Sequence, residues 1–303
     1  MQLQSELEKT INAIFEIHSL GRVKYYTQLN IGYNRIVICV NDELVLKICT
    51  NSSKVDGIRR EVQFYKENQN DFHPQLIASD LSGQQIPFIY TIEQKIQGQN
   101  LFDIWANLNQ NQRESVLYQL LAIIKKIHSY SYDKNEAESS LEDEFEKGLS
   151  KVTNSGILIK SKVEYLNTLK EYIQHHFVNA RYGMVHGDIH YNNIIFSNGE
   201  VKIVDFECYK AAPLDKEFDS LARMVRSPNG LLRQEYQKLV NPSDYQGIMP
   251  FFRDNYPEVC SLENFDERIL VYDCINSLKW YVTYPNHKPY NDILFEKSKT
   301  LIR

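Results

Sequence analysis

At 303 residues, with 43% hydrophobic and 24% charged side chains, the chain has the composition of an ordinary globular protein of one large or two modest domains. A net charge of −5 without a basic stripe argues against nucleic acid as a partner. No apolar run nears membrane-spanning length, the start lacks a signal-peptide pattern, and the five scattered cysteines hold no C-x-x-C pair, so a cytoplasmic protein with reduced thiols and no zinc site is expected.

Residues 5–18 read as an amphipathic helix, with Leu7, Ile11, Ile14 and His18 on one stripe. Strand patterns follow at 23–28 and 35–40, and the tip between them runs from Leu29 to Arg35. Its single glycine, Gly32, stands where a phosphate-covering loop would lie, although a hairpin tip with Gly32 and Asn34 would look the same in any sheet. Leu44-Val45-Leu46-Lys47-Ile48 is an apolar strand interrupted by one charge, which is costly unless paired or placed at an edge. Helical spacing then puts Ile58, Val62 and Tyr65 on one face, and Glu61 becomes the natural partner for Lys47. A strand Lys oriented by a helix Glu is what gripping the α- and β-phosphates of a nucleotide requires. Two more strands are predicted at 75–79 and 87–93, with Ser82-Gly83 in the turn. From Glu93 to Gly98 the chain leaves the sheet, where an adenine would meet backbone N–H and C=O groups. Glu93, Lys95 and Ile96 are therefore candidate nucleotide contacts.

Beyond Leu101 the pattern turns helical. Leu117, Leu120, Leu121, Ile124 and Ile127 share a face over 116–128, and Leu166, Leu169, Ile173 and Phe177 do so over 163–177. Between these helices, residues 133–147 carry seven acidic residues against two lysines. Such a run suits a wall facing a cationic ligand, or simply a solvated loop or helix face. His175-His176 reads as surface and packing. The expected division is a nucleotide-binding domain at 1–97 and a larger, mainly helical domain at 98–303.

The most informative stretch is His186-Gly187-Asp188-Ile189-His190-Tyr191-Asn192-Asn193, followed by Ile203-Val204-Asp205-Phe206-Glu207. Asp188 has the spacing of a catalytic-loop carboxylate, and Asn193, five residues on, that of a metal-ligating amide. Between Asn193 and Asp205, Ile194–Phe196 and Val201–Val204 read as strands joined at Asn198-Gly199, a strong hairpin signal. A hairpin there carries Asn193 and Asp205 to one end of itself. Further helices are expected over 214–301, broken near Pro228, Pro242 and Pro285. Asp254, Asp266, Glu267 and Asp273 could contact an acceptor, and Trp280, Tyr281 and Tyr284 could offer aromatic faces to a cation, although their spacing is also that of a core helix.

Together these features resemble the aminoglycoside phosphotransferase and choline kinase superfamily. The resemblance is carried by Gly32, Val45-Leu46-Lys47, Glu61, Ile92–Gly98, Ile127-His128, His186-Gly187-Asp188, Asn193, Asp205-Phe206-Glu207 and Pro213…Asp219-Ser220-Leu221-Ala222. It implies an α+β, bilobal protein-kinase-like fold: a small N-terminal lobe with an antiparallel sheet and a larger, mainly helical C-terminal lobe. It further implies that Asp188 serves the acceptor hydroxyl, Asn193 and Asp205 hold Mg2+, Lys47 holds phosphate, and Asp219 buttresses the catalytic loop. ATP or GTP is the implied donor and a hydroxylated, cationic small molecule the expected acceptor of a monomeric enzyme. Glu207 in place of glycine is more choline-kinase-like, and His190-Tyr191 stands where many relatives have a small residue or Pro. Three classes of function stay open: an antibiotic-type phosphotransferase, a metabolic kinase for choline, ethanolamine or a similar amino alcohol, and a non-catalytic nucleotide-binding protein. Intact Lys47, Glu61, Asp188, Asn193 and Asp205 argue against the last.

Overall fold

The computed structural model describes residues 2–31, 35–51, 55–176, 181–228 and 241–302, without the side chains of 2–5, 30–31, 134–142 and 174–176. Gly32, most side chains of the acidic run and those of His175-His176 therefore lie outside the described residues. In chain order the main elements are α1 (Gln2–Ile17), β1 (Tyr26–Ile31), β2 (Arg35–Val40), β3 (Leu44–Cys49), α2 (Val55–Glu67), β4 (Leu76–Asp80), β5 (Tyr90–Gln94) and β6 (Gln99–Asn100). They continue with α3 (Leu101–Ile104), α4 (Gln110–His128), α5 (Lys134–Asn154), α6 (Lys160–His176), β7 (Tyr182–Val185), β8 (Ile194–Ser197), β9 (Glu200–Ile203) and β10 (Lys210–Pro213). The chain ends in α7 (Asp219–Arg226), α8 (Ile248–Asn255), α9 (Pro257–Cys260), α10 (Phe265–Tyr281) and α11 (Lys288–Phe295).

By packing, the chain forms two compact units: Met1–Leu101 with Asn192–Tyr209, and Phe102–Tyr191 with Lys210–Arg303. The division expected at 97/98 treats the lobes as consecutive; the first unit also takes in the β8–β9 hairpin. In that unit an antiparallel five-stranded sheet runs β1-β2-β3-β5-β4, so β3 is the middle strand. Ile11, Ile14 and Phe15 of α1 pack on Ile38, Val40, Leu46, Ile48, Tyr90 and Ile92 of the sheet. The stripe read from the sequence is thus the buried one, and His18 at its end bonds the Tyr90 hydroxyl through Nε2 at 2.8 Å. β6 adds to the hairpin in a second sheet, β6-β8-β9.

The second unit is mainly helical, with β7 and β10 paired antiparallel. α4 begins at Gln110, well before the predicted 116. Asn109 caps it by accepting the N–H of Gln112, whose side chain in turn accepts the N–H of Asn109. The acidic run lies in α5, which packs against α10. Gly148 permits that approach, because a Cβ there would stand 2.9 Å from Cβ of Leu278.

Candidate active site

Lys47 lies on the middle strand of the first unit, paired in register with Val37 on one side and Thr91 on the other. It is not an edge residue, and its charge is buried. Nζ donates to Oε1 of Glu61 at 2.8 Å and stands 2.9 Å from Oε1 of Glu93. Apolar positions turn α2 so that Ile58, Val62 and Phe64 are buried, and Glu61 is carried in with them, fully buried. Burial works against the charge on Glu61, but the Lys47 ammonium and the Arg35 guanidinium outweigh it and hold the carboxyl at about 2. For Glu93 the pull of Lys47, with a smaller one from Arg35, falls short, and burial together with the nearby Glu61 charge pushes its carboxyl up to about 7. Lys47 suffers the same burial, yet the two carboxylates lift it above the ordinary range of a lysine.

Arg35, the first residue of β2, escaped the sequence reading. Its guanidinium is buried, with Nη1 at 2.6 Å from Glu61 and 3.7 Å from Asp205, and Nη2 at 2.9 Å from Glu207. No periodicity flags such a residue, because its three partners lie 26, 170 and 172 positions away (61 − 35, 205 − 35, 207 − 35).

The hairpin brings Asn193 and Asp205 to one end, as its spacing demanded. Ile194 pairs with Ile203, and the next residue, Val204, donates its N–H to the carbonyl of Asn193 at 3.0 Å. Asp205 then takes a left-handed conformation, φ 69°, that turns the chain sharply. Phe206 is driven inward and stacks on Phe64 of α2, ring centroids 3.9 Å apart. The same turn meets α2 twice more. Arg60 Nη2 donates to the Glu207 carbonyl at 3.1 Å, and Gly57 lies so close that a Cβ would sit 3.3 Å from that oxygen. The helix bearing Glu61 and the turn bearing Asp205 are therefore one packed piece. A magnesium ion fits the pair of donors: an amide and a carboxylate offer hard oxygens, and the Asp205 side chain is 39% exposed, with its nearest cation at the long distance of 3.7 Å.

Of the remaining nucleotide candidates, Lys95 turns its side chain toward Asp42 at 3.5 Å and gives its N–H to the carbonyl of Glu43. Gln94 likewise donates to Gln75, so these two backbone donors are used within the sheet, and the Ile96 position follows them.

In the second unit the loop bearing Asp188 leaves β7 at His186. Gly187 has φ 78°, and the buried carboxylate of Glu217 accepts the N–H groups of His186 at 2.8 Å and Gly187 at 3.1 Å. His128, at the end of α4, stands 3.5 Å from the same carboxylate. The buttress expected of Asp219 falls on Glu217 instead. Asp219 is buried and faces Lys216, Arg223 and Asn276 at 2.5–2.9 Å. Asp188 is held at both oxygens: Oδ1 accepts from the Ser220 hydroxyl at 2.7 Å, and Oδ2 lies 3.5 Å from Nε2 of His190. Burial opposes its charge, but His190 and Ser220 prevail and keep the carboxyl well below the usual carboxylate range.

The acceptor candidates fare unevenly. Glu144 of the acidic run is neutralised by Lys210 and by Lys279, the latter at 2.9 Å, and Glu146 pairs with Lys170. Asp273 is buried against Arg226, Asp266 pairs with Arg253 at 2.6 Å, and Tyr281 is a core residue. Trp280 and Tyr284 stay exposed with ring centroids 6.3 Å apart.

Among solved structures the fold is shared widely. The aminoglycoside phosphotransferase APH(2'')-Ib, ADP-bound, has TM-score 0.69 at 15% identity over 95% of this chain and 98% of that one. The streptomycin–ATP ternary complex of APH(2'')-IIa has TM-score 0.66 at 16% identity over 88% and 89%. A GDP and kanamycin complex of APH(2'')-IIIa has TM-score 0.65 at 14% identity over 98% of each chain. At such identities the likeness establishes the fold, which is the expected α+β kinase-like one. No curated protein matches the sequence. The model of the phosphotransferase enzyme family, however, matches residues 26–251, three quarters of the chain, with the Lys47 strand, Asp188 and the Asn193–Asp205 hairpin inside the match. The protein belongs to the phosphotransferase enzyme family.

Proposed function

We propose that the protein is a cytoplasmic, monomeric kinase that moves the γ-phosphate of ATP or GTP to a hydroxyl of a cationic small molecule, an aminoglycoside-type antibiotic being the first candidate. The observation that carries this reading is the buried Lys47–Glu61 pair on the middle strand, packed through Phe64 and Phe206 to the turn bearing Asp205. A buried ammonium already held by carboxylates keeps its charge and direction, which is what phosphate binding needs. In this reading Lys47 holds the α- and β-phosphates, and Asn193 and Asp205 hold magnesium, which would neutralise charge on the phosphates. Asp188, kept ionised by Ser220 and His190, accepts the hydrogen bond of the acceptor hydroxyl and orients its oxygen for in-line attack. So acidic a carboxyl is a weak base. That suits a loose transition state, in which the proton leaves late and positioning carries most of the effect.

One observation favours a second acceptor class. Glu207 replaces the usual glycine, in the manner of the choline-kinase branch, and is engaged by Arg35. The test is nucleotide consumption by the purified protein with aminoglycosides, choline, ethanolamine and homoserine in parallel. One acceptor should stimulate turnover, and Asp188→Ala should lower that turnover by about 10²–10⁴-fold while nucleotide affinity stays within about twofold. No stimulated turnover with any hydroxylated amine, or full turnover in Asp188→Ala, would overturn the reading.

A further inference from the structure

Resting on the reading of the first unit as a nucleotide site, we infer that Arg35 is a second phosphate-binding cation, reaching the same polyphosphate as Lys47 from the neighbouring strand. Val37 is the register partner of Lys47, and Arg35 lies two residues before it on β2, on the same face of the sheet. The two cations already share one counter-ion, since Nη1 of Arg35 and Nζ of Lys47 bind opposite oxygens of the Glu61 carboxylate. Arg35 also begins its strand directly after residues 32–34, which fall in the 29–35 segment where the sequence led us to expect a phosphate-covering loop.

The second observation is an unmet valence. A guanidinium offers five N–H donors in a planar fork. Among the described residues Nη1 is satisfied by Glu61, while Nε and Nη2 are buried and donate to no acceptor, although Nη2 has the Glu207 charge 2.9 Å away. Leaving a buried donor unmade is unfavourable, and the fork edge formed by Nε and Nη2 is the edge that grips a phosphate or carboxylate with two parallel bonds. The neighbouring carboxylates of Glu61, Asp205 and Glu207 keep the guanidinium in place, Glu207 from the Nη2 side, and Nε is left without an acceptor among the described residues. They also make the patch net negative by itself, so the ligand that fits is a polyphosphate arriving with its own counter-cations, and an isolated small anion fits poorly.

Equilibrium binding separates this role from a structural one. Affinities of ATP and GTP, and of adenosine and guanosine as controls, would be measured by calorimetry in excess Mg2+ and without acceptor for wild type, Arg35→Met, Arg35→Lys and Lys47→Met. We expect Arg35→Met to weaken binding of the favoured triphosphate about ten- to a hundredfold while its nucleoside binds as before. Arg35→Lys should recover only part of the loss, because an ammonium cannot supply the fork. A purely structural role would weaken nucleoside and nucleotide alike, and this result would overturn the inference. So would unchanged triphosphate affinity in Arg35→Met beside a loss in Lys47→Met, which leaves the proposed function standing. If wild type binds neither triphosphate, the proposed function fails with it. Should Arg35→Met not fold, Arg35→Lys and the nucleoside control decide the matter.

Discussion

At the residue scale, the first unit shows how a carboxylate's environment assigns its chemistry. Glu61 and Glu93 both touch Lys47, yet Glu61 has a second cation in Arg35 and Glu93 does not. Their carboxyls therefore move apart, to about 2 and about 7. The consequence for stability has a definite sign. Glu93 binds its proton more tightly folded than unfolded, so its stabilising effect is full below about 4.5 and is lost as pH rises through about 7. Wild type should therefore lose stability relative to Glu93→Gln between pH 5 and 8, with a slope of at most one proton, about 1.4 kcal/mol per pH unit. Chemical denaturation of both proteins at several pH values checks this. A stability difference between the two proteins that stays flat from pH 6 to 8 would mean that Lys47 keeps Glu93 charged throughout.

At the scale of elements, close approaches of backbone do much of the positioning. Gly148 lets α5 cross α10 against Leu278, and the Cβ that an alanine adds would stand 2.9 Å from another Cβ, closer than such atoms come. Alanine improves helix propensity by up to about 1 kcal/mol, while overpacking costs about 1–3 kcal/mol. Gly148→Ala should thus be destabilising on balance, and a thermal melt above that of wild type would refute the crossing. The elements that the sequence announced were those whose signal is local. The Asn198-Gly199 hairpin, the α1 stripe and the lone charge of Lys47 in an apolar strand each declare themselves within a dozen residues. The long-range partners did not. Arg35 with Glu207, Glu144 with Lys210 and Lys279, and Glu217 with the N–H groups of His186 and Gly187 are joined only by folding. The start of α4 was legible in principle, since Asn109 and Gln112 form a capping pair three residues apart, but it lies upstream of the apolar periodicity.

At the scale of the whole molecule, the net charge of −5 acts differently from the local acidic run. Glu144 and Glu146 are spoken for by lysines, so among the described residues the run presents less free negative charge than its composition suggests. What remains to attract a cationic acceptor is the diffuse field of the surplus carboxylates, which salt screens beyond about 8 Å at physiological ionic strength. For the proposed cationic acceptor the Michaelis constant should rise with salt, by less than about tenfold between low and physiological ionic strength. An acceptor whose constant ignores salt is neutral or is held by groups too buried to be screened.

The hairpin that completes the first unit is encoded far from the rest of it. Residues 192–209 pack with Met1–Leu101, and Phe206 supplies the ring that covers Phe64. On the ribosome, a nascent chain that has just passed Leu101 carries the whole five-stranded sheet and α2, but the ring that stacks on Phe64 does not yet exist. About a hundred further residues must be added first, which takes on the order of 5–20 s at ordinary rates of synthesis. Over that interval Phe64 and the face of α2 around it lack their native cover, a binding surface offered to chaperones. A released, truncated chain ending before Phe206 should be cleaved within α2 by protease more readily than the full-length chain.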